Sequence, residues 1–488
     1  MTSERGLIPR RVVVVGAGLS GLTAAHAVSA RAAAARQALE LVVLEAKDRV
    51  GGAIWTERRD GFTIEGGADS FITNKPWALE LCRELGLESR LIETDARHRR
   101  SFVVRRGRLA PVPEGFVLMA PARLGPLLTS PILSWRGKLR MMLDLILPRG
   151  DGIVDESLAS FVKRRLGREA LDRLVQPLVG GIYTADPNEL SLRATLPQFL
   201  EMERVYGSVI RGALRQRKRA RAEERDASGA RYGLFMTLDD GMDLLPRTLE
   251  SRLPSRALQL NTPVRRISRP DINAPWRVEL LDGPALDADA VIVTTEAHVS
   301  ARLLDGHDPE LALLLRSIPY ASSAIVNIAF RRDQVAHPLD GFGAVVPALE
   351  NRSILAVSFL SVKFPRRAPA GTVLMRVFVG GATQPELFER SDDALVELVR
   401  GELATLLGAR GEPLFAEVAR HARAMPQYTL GHLDRVAEIR SRQARHAGLV
   451  LAGNAFDGVG IPDCVKAARE AADQVFAAAN DSAAPAAA

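Results

Sequence analysis

The residues of this 488-residue chain whose spacing points most directly to chemistry are glycines. Gly16-Ala17-Gly18-Leu19-Ser20-Gly21 follows a β-branched run, Val12–Val15, and leads into a helical stretch from Leu22. In such a strand–turn–helix, Gly16 makes the tight turn, Gly18 lets backbone approach a pyrophosphate, and Gly21 lets helix and strand pack closely. The helix N-terminus then offers free N–H groups and a partial positive charge to phosphate. Glu45 stands 24 residues after Gly21, at the end of a second apolar run, Leu39–Leu44. A carboxylate there can accept hydrogen bonds from a ribose hydroxyl and repels a 2′-phosphate. Together these residues predict a dinucleotide site.

The elements that must hold them are an alternating α/β unit. Thr23 to Leu39 is alanine-rich and reads as the crossover helix between the first two parallel strands. Glu45 is followed by Ala46, Arg49 and the pair Gly51-Gly52, where backbone passes close to a ligand. Gly61 to Gly67 reads as a short strand ending in glycines. The Arg-x-Gly-Gly and Glu-x-Gly segments resemble those of flavoproteins of the glutathione-reductase and amine-oxidase type, which implies FAD as the nucleotide.

Further along, Phe102–Leu109 predicts a hairpin turning at Arg105-Arg106-Gly107. Residues 118–133 are apolar and broken by prolines, and residues 136–147 form an amphipathic helix with Arg136, Lys138 and Arg140. That composition suits a face lying on a bilayer, and equally the core of a helical lobe. Helices follow at 156–166, 169–179 and 192–221, the last ending in the charge run 215–225, with a hinge at Ala227-Ser228-Gly229. Thr237 to Met242 begins a return to the nucleotide domain, and Leu258–Asn261, Val264–Ile267 and Ala290–Thr295 are strands. Residues 318–379 alternate β segments with turns and predict a mixed sheet lining a ligand cavity, with a helix at 393–407. Leu449–Asn454 is one more buried strand, a helix spans 463–478, and the small, polar tail 480–488 predicts disorder.

Bulk properties bound the function. The chain is too long for one core, which predicts two or three domains. The net charge is +7, from 65 Lys and Arg against 58 Asp and Glu, and suits anionic surfaces or carboxylate-rich ligands. The basic residues are dispersed and no recognition motif occurs, which argues against nucleic-acid binding. Cys82 and Cys464 lie far apart without metal-ligand spacing, so neither a disulfide framework nor a metal site is expected, and a reducing cytosol fits. The N-terminal residues contain no apolar signal segment, and no run of 18 apolar residues occurs, so any membrane contact would be peripheral.

Several segments, in order along nearly the whole chain, resemble the oxygen-dependent protoporphyrinogen/coproporphyrinogen oxidase family of haem biosynthesis. They are Gly16–Gly21, Glu45–Gly52, Glu65–Phe71, Gly181–Asp186, Met425–His432 and Gly453–Cys464, the last two being the most specific. The resemblance implies an α/β fold: an FAD-binding Rossmann-like domain (residues 1–95, 237–305 and 444–480), a mixed-sheet substrate domain (306–443) and a helical membrane-binding subdomain (96–236), with 481–488 a disordered tail. It implies oxidation of a porphyrinogen to the porphyrin, with FAD passing electrons to O2. The cofactor-binding residues implied are Gly16, Ala17, Gly18, Leu19, Ser20, Gly21, Glu45, Ala46, Arg49, Gly51, Gly52, Gly67, Ala68, Asp69, Ser70, Gly453 and Asn454, with Val264 beside the adenine and Val459, Gly460 and Ile461 beside the isoalloxazine.

Asp69 stands where the family carries Asn or Asp facing the substrate. It is the candidate catalytic residue, able to accept a pyrrole proton or orient the ring, or it is simply a turn-forming Asp. Lys75 and Arg100 are candidates to pair with substrate propionates, and Gly181, Ile182 and Tyr183 to line the macrocycle; a solvated surface role is the alternative for both cations. Ser101-Phe102, Asp69, Lys75 and the Gly458–Cys464 segment look more like the coproporphyrinogen III-oxidising branch. A flavin amine oxidase, a phytoene-type desaturase and a non-catalytic FAD or tetrapyrrole carrier share the nucleotide motif, but the Pro426–Thr429 segment and the tryptophan positions argue against the first two. The partners expected are the porphyrinogen, O2, a membrane surface on the inner face of the cell membrane, a ferrochelatase-type downstream enzyme and a second copy of the chain, all in the cytoplasm.

Overall fold

The computed structural model describes residues 10–150, 152, 154–226 and 234–483. Strand Arg10–Val15 lies at the centre of a five-stranded parallel sheet, flanked by Leu39–Leu44 and Ala290–Val293, with Leu258–Gln259 and Leu449–Leu451 at the edges. Both faces are covered. Val12, Val14, Leu41, Val43 and Ile292 pack under helices Leu19–Ala34 and Ile461–Ala483. Val13, Val15, Val42, Leu44, Val291 and Val293 pack on the other side against Trp276, Leu304, Leu311 and Ile439. Burial on both faces is why these strands read as unbroken apolar runs.

The second sheet has seven strands, in the order Phe415–Pro426, Tyr320–Arg331, Thr372–Gly380, Ala356–Ser358, Gly343–Val345, Phe102–Arg105 and Arg108–Pro111. All neighbours are antiparallel except Gly343–Val345 with Phe102–Arg105. The predicted hairpin therefore belongs to this sheet and not to the helical subdomain. Its turn has Arg106 at φ 50° and Gly107 at φ 71°, the left-handed pair that a two-residue hairpin loop needs. One face of the sheet is apolar and packs on helix Asp392–Leu407 through Val326, Ile328, Met375, Val377, Leu395, Val399 and Leu403. By the two-residue period of strands, Asn327 and Arg376, which are register partners, point to the opposite face.

Residues 116–226 build a helical lobe with its own core, including Leu127, Ile132, Met141, Phe161, Leu174 and Phe199. The helix expected over 192–221 is three helices, Leu192–Thr195, Pro197–Tyr206 and Val209–Asp226. Pro197 cannot donate into a continuing helix, and Gly207, at φ 69°, caps the second one. Arg165 and Asp144, both fully buried at 2.6 Å, hold the lobe together, with Ser208 also donating to Asp144. Residues 481–483, expected in the tail, extend helix Ile461–Ala483. The hinge at 227–229 and the tail residues 484–488 lie outside the described residues. Among the described residues no helix is long and apolar enough to cross a membrane.

Candidate functional site

The nucleotide motif forms a cradle whose first and last glycines admit no other residue. Gly16 sits at φ 101°, and a Cβ on Gly21 would stand 1.8 Å from the Gly16 carbonyl oxygen. Gly18 faces the Gly51-Gly52 turn, where a Cβ on Gly52 would stand 3.2 Å from the Gly18 Cα. The Gly51 N–H donates to the Ala17 carbonyl at 2.9 Å, so the two glycine turns form one surface. Arg49 donates to the carbonyls of Val50 and Gly52 and fixes the second turn. Leu19, Ser20 and Gly21 form the first turn of helix Leu19–Ala34, whose leading N–H groups have no partner within the helix.

Glu45 is buried, and its carboxylate accepts from the Ala17 N–H at 2.7 Å and the Lys47 N–H at 2.9 Å. Ala46 lies between the two bonded residues. The Thr262 N–H donates to the Glu45 carbonyl, which brings Val264 to the same end of the sheet. Thr294, placed in a strand by the sequence but not among its site residues, caps the first strand by donating to the carbonyls of Val15 and Gly16. A tight glycine cradle, a helix start without intrahelical partners and a fixed carboxylate at the second strand match the shape and donor set of an adenine dinucleotide.

Two further loops meet at this cradle. Loop 453–460 is braced by the Pro426–His432 segment, which explains why that segment is so distinctive. The Tyr428 hydroxyl donates to the Asn454 carbonyl at 2.7 Å and accepts from the Gly458 N–H at 2.8 Å. Tyr428 stacks on His432 with ring centroids 3.9 Å apart, and His432 Nε2 donates to the Phe456 carbonyl at 3.0 Å. Val459 and Gly460 thus come to the start of helix Ile461–Ala483 in one conformation. Cys464 packs there, and burial pushes its thiol up to about 11, so it is no nucleophile.

Loop 66–70 is gripped by the seven-stranded sheet. A Cβ on Gly66 would strike the Trp55 ring and one on Gly67 the Ala53 carbonyl, both under 2 Å. Three successive carbonyls accept from three strands: Glu65 from Asn327 Nδ2 at 3.2 Å, Gly66 from His421 Nε2 at 2.7 Å, and Gly67 from the Arg376 guanidinium. Asp69 is paired with Lys363 at 3.0 Å and Arg376 at 3.2 Å, and Ser70 donates to it at 2.8 Å. Burial opposes its charge, but Lys363, then Arg376, then Ser70 hold the Asp69 carboxyl well below the usual carboxylate range. A carboxylate so stabilised as the anion is a weak proton acceptor. Ala68, between these anchored residues, is exposed. Glu65 is different. Burial raises it to about 7, against Arg367 and the Thr56 hydroxyl that stabilise its charge.

The expected propionate partners are already engaged. Lys75 meets both oxygens of Asp463, at 2.7 and 2.8 Å, and so joins the loop after Asp69 to the start of helix Ile461–Ala483. Arg100 pairs with Asp340 at 3.2 Å on the surface, half exposed, beside the seven-stranded sheet. Tyr183, at the end of helix Gln176–Tyr183, donates to the Thr195 carbonyl, and burial together with Asp463 pushes its phenol up to about 12. A Cβ on Gly181 would stand 3.6 Å from Val345, so this helix end faces strand Gly343–Val345. The backbone of Ile182 lies between them. The structure places Tyr183 against Gln427 and Lys75, through Asp463, beside Gly458 and Gly460, holds Asp69 against the seven-stranded sheet, and leaves Arg100 half exposed on the surface.

Lys363, Arg376, Asn327, His421 and Asp463 were not singled out in the sequence. A signal did exist for two of them. Arg376 in Val373-Leu374-Met375-Arg376-Val377 and Asn327 in Ile325-Val326-Asn327-Ile328 are polar residues inside strongly apolar strands, and buried polar groups there need partners.

Comparison with known proteins agrees with this geometry. Residues 19–476 match the family described as flavin containing amine oxidoreductase. The chain is 34% identical to coproporphyrinogen III oxidase of Bacillus subtilis (strain 168), over 93% of this chain and 96% of that one. It is 37% identical to coproporphyrinogen III oxidase of Propionibacterium freudenreichii subsp. freudenreichii, over 96% and 91%. A crystal structure from Exiguobacterium sp. 255-15, assigned to protoporphyrinogen oxidase, superposes with a TM-score of 0.83 at 31% identity, over 96% of this chain and 99% of that one. With its cradle, its fixed Glu45 and its near-full-length match, the chain belongs to the flavin-containing amine oxidoreductase family, and its cofactor is FAD.

Proposed function

We propose that this protein is the FAD-dependent enzyme that oxidises a porphyrinogen to the porphyrin in haem biosynthesis, with O2 as electron acceptor and coproporphyrinogen III as its preferred substrate. The observation that carries this reading is the near-full-length identity to two coproporphyrinogen III oxidases at 34% and 37%. Each round removes a hydride equivalent from a macrocycle carbon and a proton from a pyrrole nitrogen, and the electron pair leaves on O2 as hydrogen peroxide. When bound, FAD supplies the hydride acceptor and the route to O2. The residues that would hold it are the Gly16–Gly21 cradle, Glu45, Arg49–Gly52, Val264, the Gly67–Ser70 loop and loop 453–460.

The chain's own part is to bind and orient. Asp69, held as an anion, accepts pyrrole N–H groups and fixes the plane of the macrocycle. Lys75 shares its ammonium between Asp463 and an incoming propionate. The end of helix Gln176–Tyr183, at Gly181 and Tyr183, lines the macrocycle together with Val345. Arg100 selects a propionate at the rim by releasing Asp340. Supporting the four-propionate substrate, both cations sit in pairs accessible enough to exchange, with Lys75 and Arg100 about half exposed.

The helical lobe supports a second part of the proposal. Trp135, Leu139, Leu143 and Ile146 are 68, 67, 43 and 77% exposed and recur at helical spacing beside the exposed Arg136. A bilayer with anionic headgroups would receive the apolar stripe and attract the arginine. We place the enzyme in the cytoplasm, docked peripherally by this stripe, handing its product to a ferrochelatase-type enzyme and pairing with a second copy.

The test is porphyrin fluorescence in air with coproporphyrinogen III and protoporphyrinogen IX in parallel. Faster turnover of the first supports the reading, faster turnover of the second overturns the preference, and no turnover of either by flavin-loaded protein overturns the activity. Replacing Trp135 and Leu139 with Ser is expected to abolish co-sedimentation with phosphatidylglycerol vesicles while turnover in solution persists; unchanged sedimentation overturns the docking.

A further inference from the structure

Asp69 belongs to loop 66–70 of the nucleotide domain, yet the cations that surround it come from elsewhere. Lys363 ends the short helix Leu360–Lys363, and Arg376 lies within strand Thr372–Gly380 of the seven-stranded sheet. Lys363 Nζ reaches Asp69 Oδ1 at 3.2 Å, Oδ2 at 3.0 Å and Ser70 Oγ at 3.2 Å. Arg376 meets Asp69 Oδ2 at 3.2 Å while donating to the Gly67 carbonyl. Both cations are largely shielded: Arg376 is 2% exposed, and the Lys363 ammonium lies over the rings of Phe235 and Phe364 at 5.5 and 5.0 Å.

The titratable and charged groups around this spot are Lys363 and Arg376, His421 on the Gly66 carbonyl at 2.7 Å, which burial and Arg376 disfavour as the cation, and, one step further, Arg367, which pairs with Glu65 at 3.5 Å. Among these described residues, two carboxylates therefore stand against three cations. Such a balance keeps the nearer carboxylate ionised, because protonating it would strand two buried cations. The guanidinium also ties the loop carbonyl and the carboxylate with one rigid fork, so the position of Asp69 and its charge are set by the same group.

We infer that Lys363 and Arg376 are positioning residues that clamp Asp69 as a permanent anion against the substrate sheet, so that it serves the reaction as a fixed hydrogen-bond acceptor for pyrrole N–H groups and never as the base. The clamp makes the seven-stranded sheet part of the catalytic apparatus and not only a wall of the cavity. The acceptor role rests on the porphyrinogen reading above; the clamp does not.

The experiment compares Lys363→Met, Lys363→Arg, Arg376→Lys and Asp69→Asn with the parent holoenzyme in two readouts. The first is infrared difference spectroscopy between neutral and acid pH. The parent is expected to show no protonated-carboxyl band from Asp69 down to about pH 4, whereas Lys363→Met shows one that disappears in the Lys363→Met/Asp69→Asn double variant. The second is the pH profile of kcat/KM for coproporphyrinogen III. Lys363→Met is expected to lose roughly tenfold for each pH unit below a new acid limb near the ordinary carboxylate range, while staying close to the parent at pH 8. Lys363→Arg restores the parent profile.

If Lys363→Met gives no new carboxyl band, the clamp is overturned. A new band with an unmoved pH profile overturns the acceptor role. Arg376→Lys, which keeps the charge but loses the fork, is expected to lower kcat with little change in the acid limb. An equal fall of activity at every pH in Lys363→Met, with no band, marks a purely structural role and also overturns the inference. If the parent turns over neither porphyrinogen, the activity reading fails, and the infrared arm still decides the clamp.

Discussion

Replacing Tyr428 with Phe removes one oxygen atom and leaves the ring stacked on His432. That oxygen is 2.7 Å from the Asn454 carbonyl and 2.8 Å from the Gly458 N–H, and the side chain is 2% exposed. Two hydrogen bonds worth about 1 kcal/mol each are lost, and two part-buried backbone groups are left without this partner, so the loop is destabilised by roughly 2–3 kcal/mol. No cavity is made, so this loss is local to residues 453–460. If the loop forms one side of the flavin site, the same free energy appears in FAD binding as a weakening of roughly 30-fold to 150-fold. Titrating the apoprotein with FAD and following flavin fluorescence measures it directly. A dissociation constant within about twofold of the parent would refute the claim that this brace orders the flavin site.

Other outcomes follow from the same geometry. Gly21→Ala places a Cβ against the Gly16 carbonyl, and the purified protein is expected to carry almost no flavin by its visible absorbance; normal flavin content would refute the cradle. Asp308 is 4% exposed; burial opposes its charge, but the Leu311 N–H, His446 and Arg442 hold it at about 2 against an ordinary 3.8. The lowered pKa contributes about 2 kcal/mol of stability, present above pH 4 and lost as pH falls through 2. Asp308→Asn is therefore expected to unfold earlier in urea at pH 7, with the gap to the parent shrinking towards pH 2; a gap independent of pH would refute the linkage. Asp144→Asn leaves the buried Arg165 with Glu203, at 3.3 Å, as its remaining anion and is expected to cost roughly 2–3 kcal/mol, read as a lowered thermal midpoint of the helical lobe.

The nucleotide domain was legible in the chain because its requirements are local. Gly16, Gly18 and Gly21 answer backbone geometry within a few residues, and the apolar runs at Val12–Val15 and Ala290–Val293 answer burial on both sheet faces. The Gly51-Gly52 pair and Glu45 stood at the distances that one crossover helix dictates. Only tertiary structure could decide the fate of the charges. Lys75 and Arg100 look like free cations in sequence, and their partners Asp463 and Asp340 lie hundreds of residues away. Asp69 reads as a candidate base until Lys363 arrives from a short helix and Arg376 from a sheet strand. An ionisable group's role depends on what lies within a few ångströms of it, and that neighbourhood is built by chain segments with no sequence relation to one another.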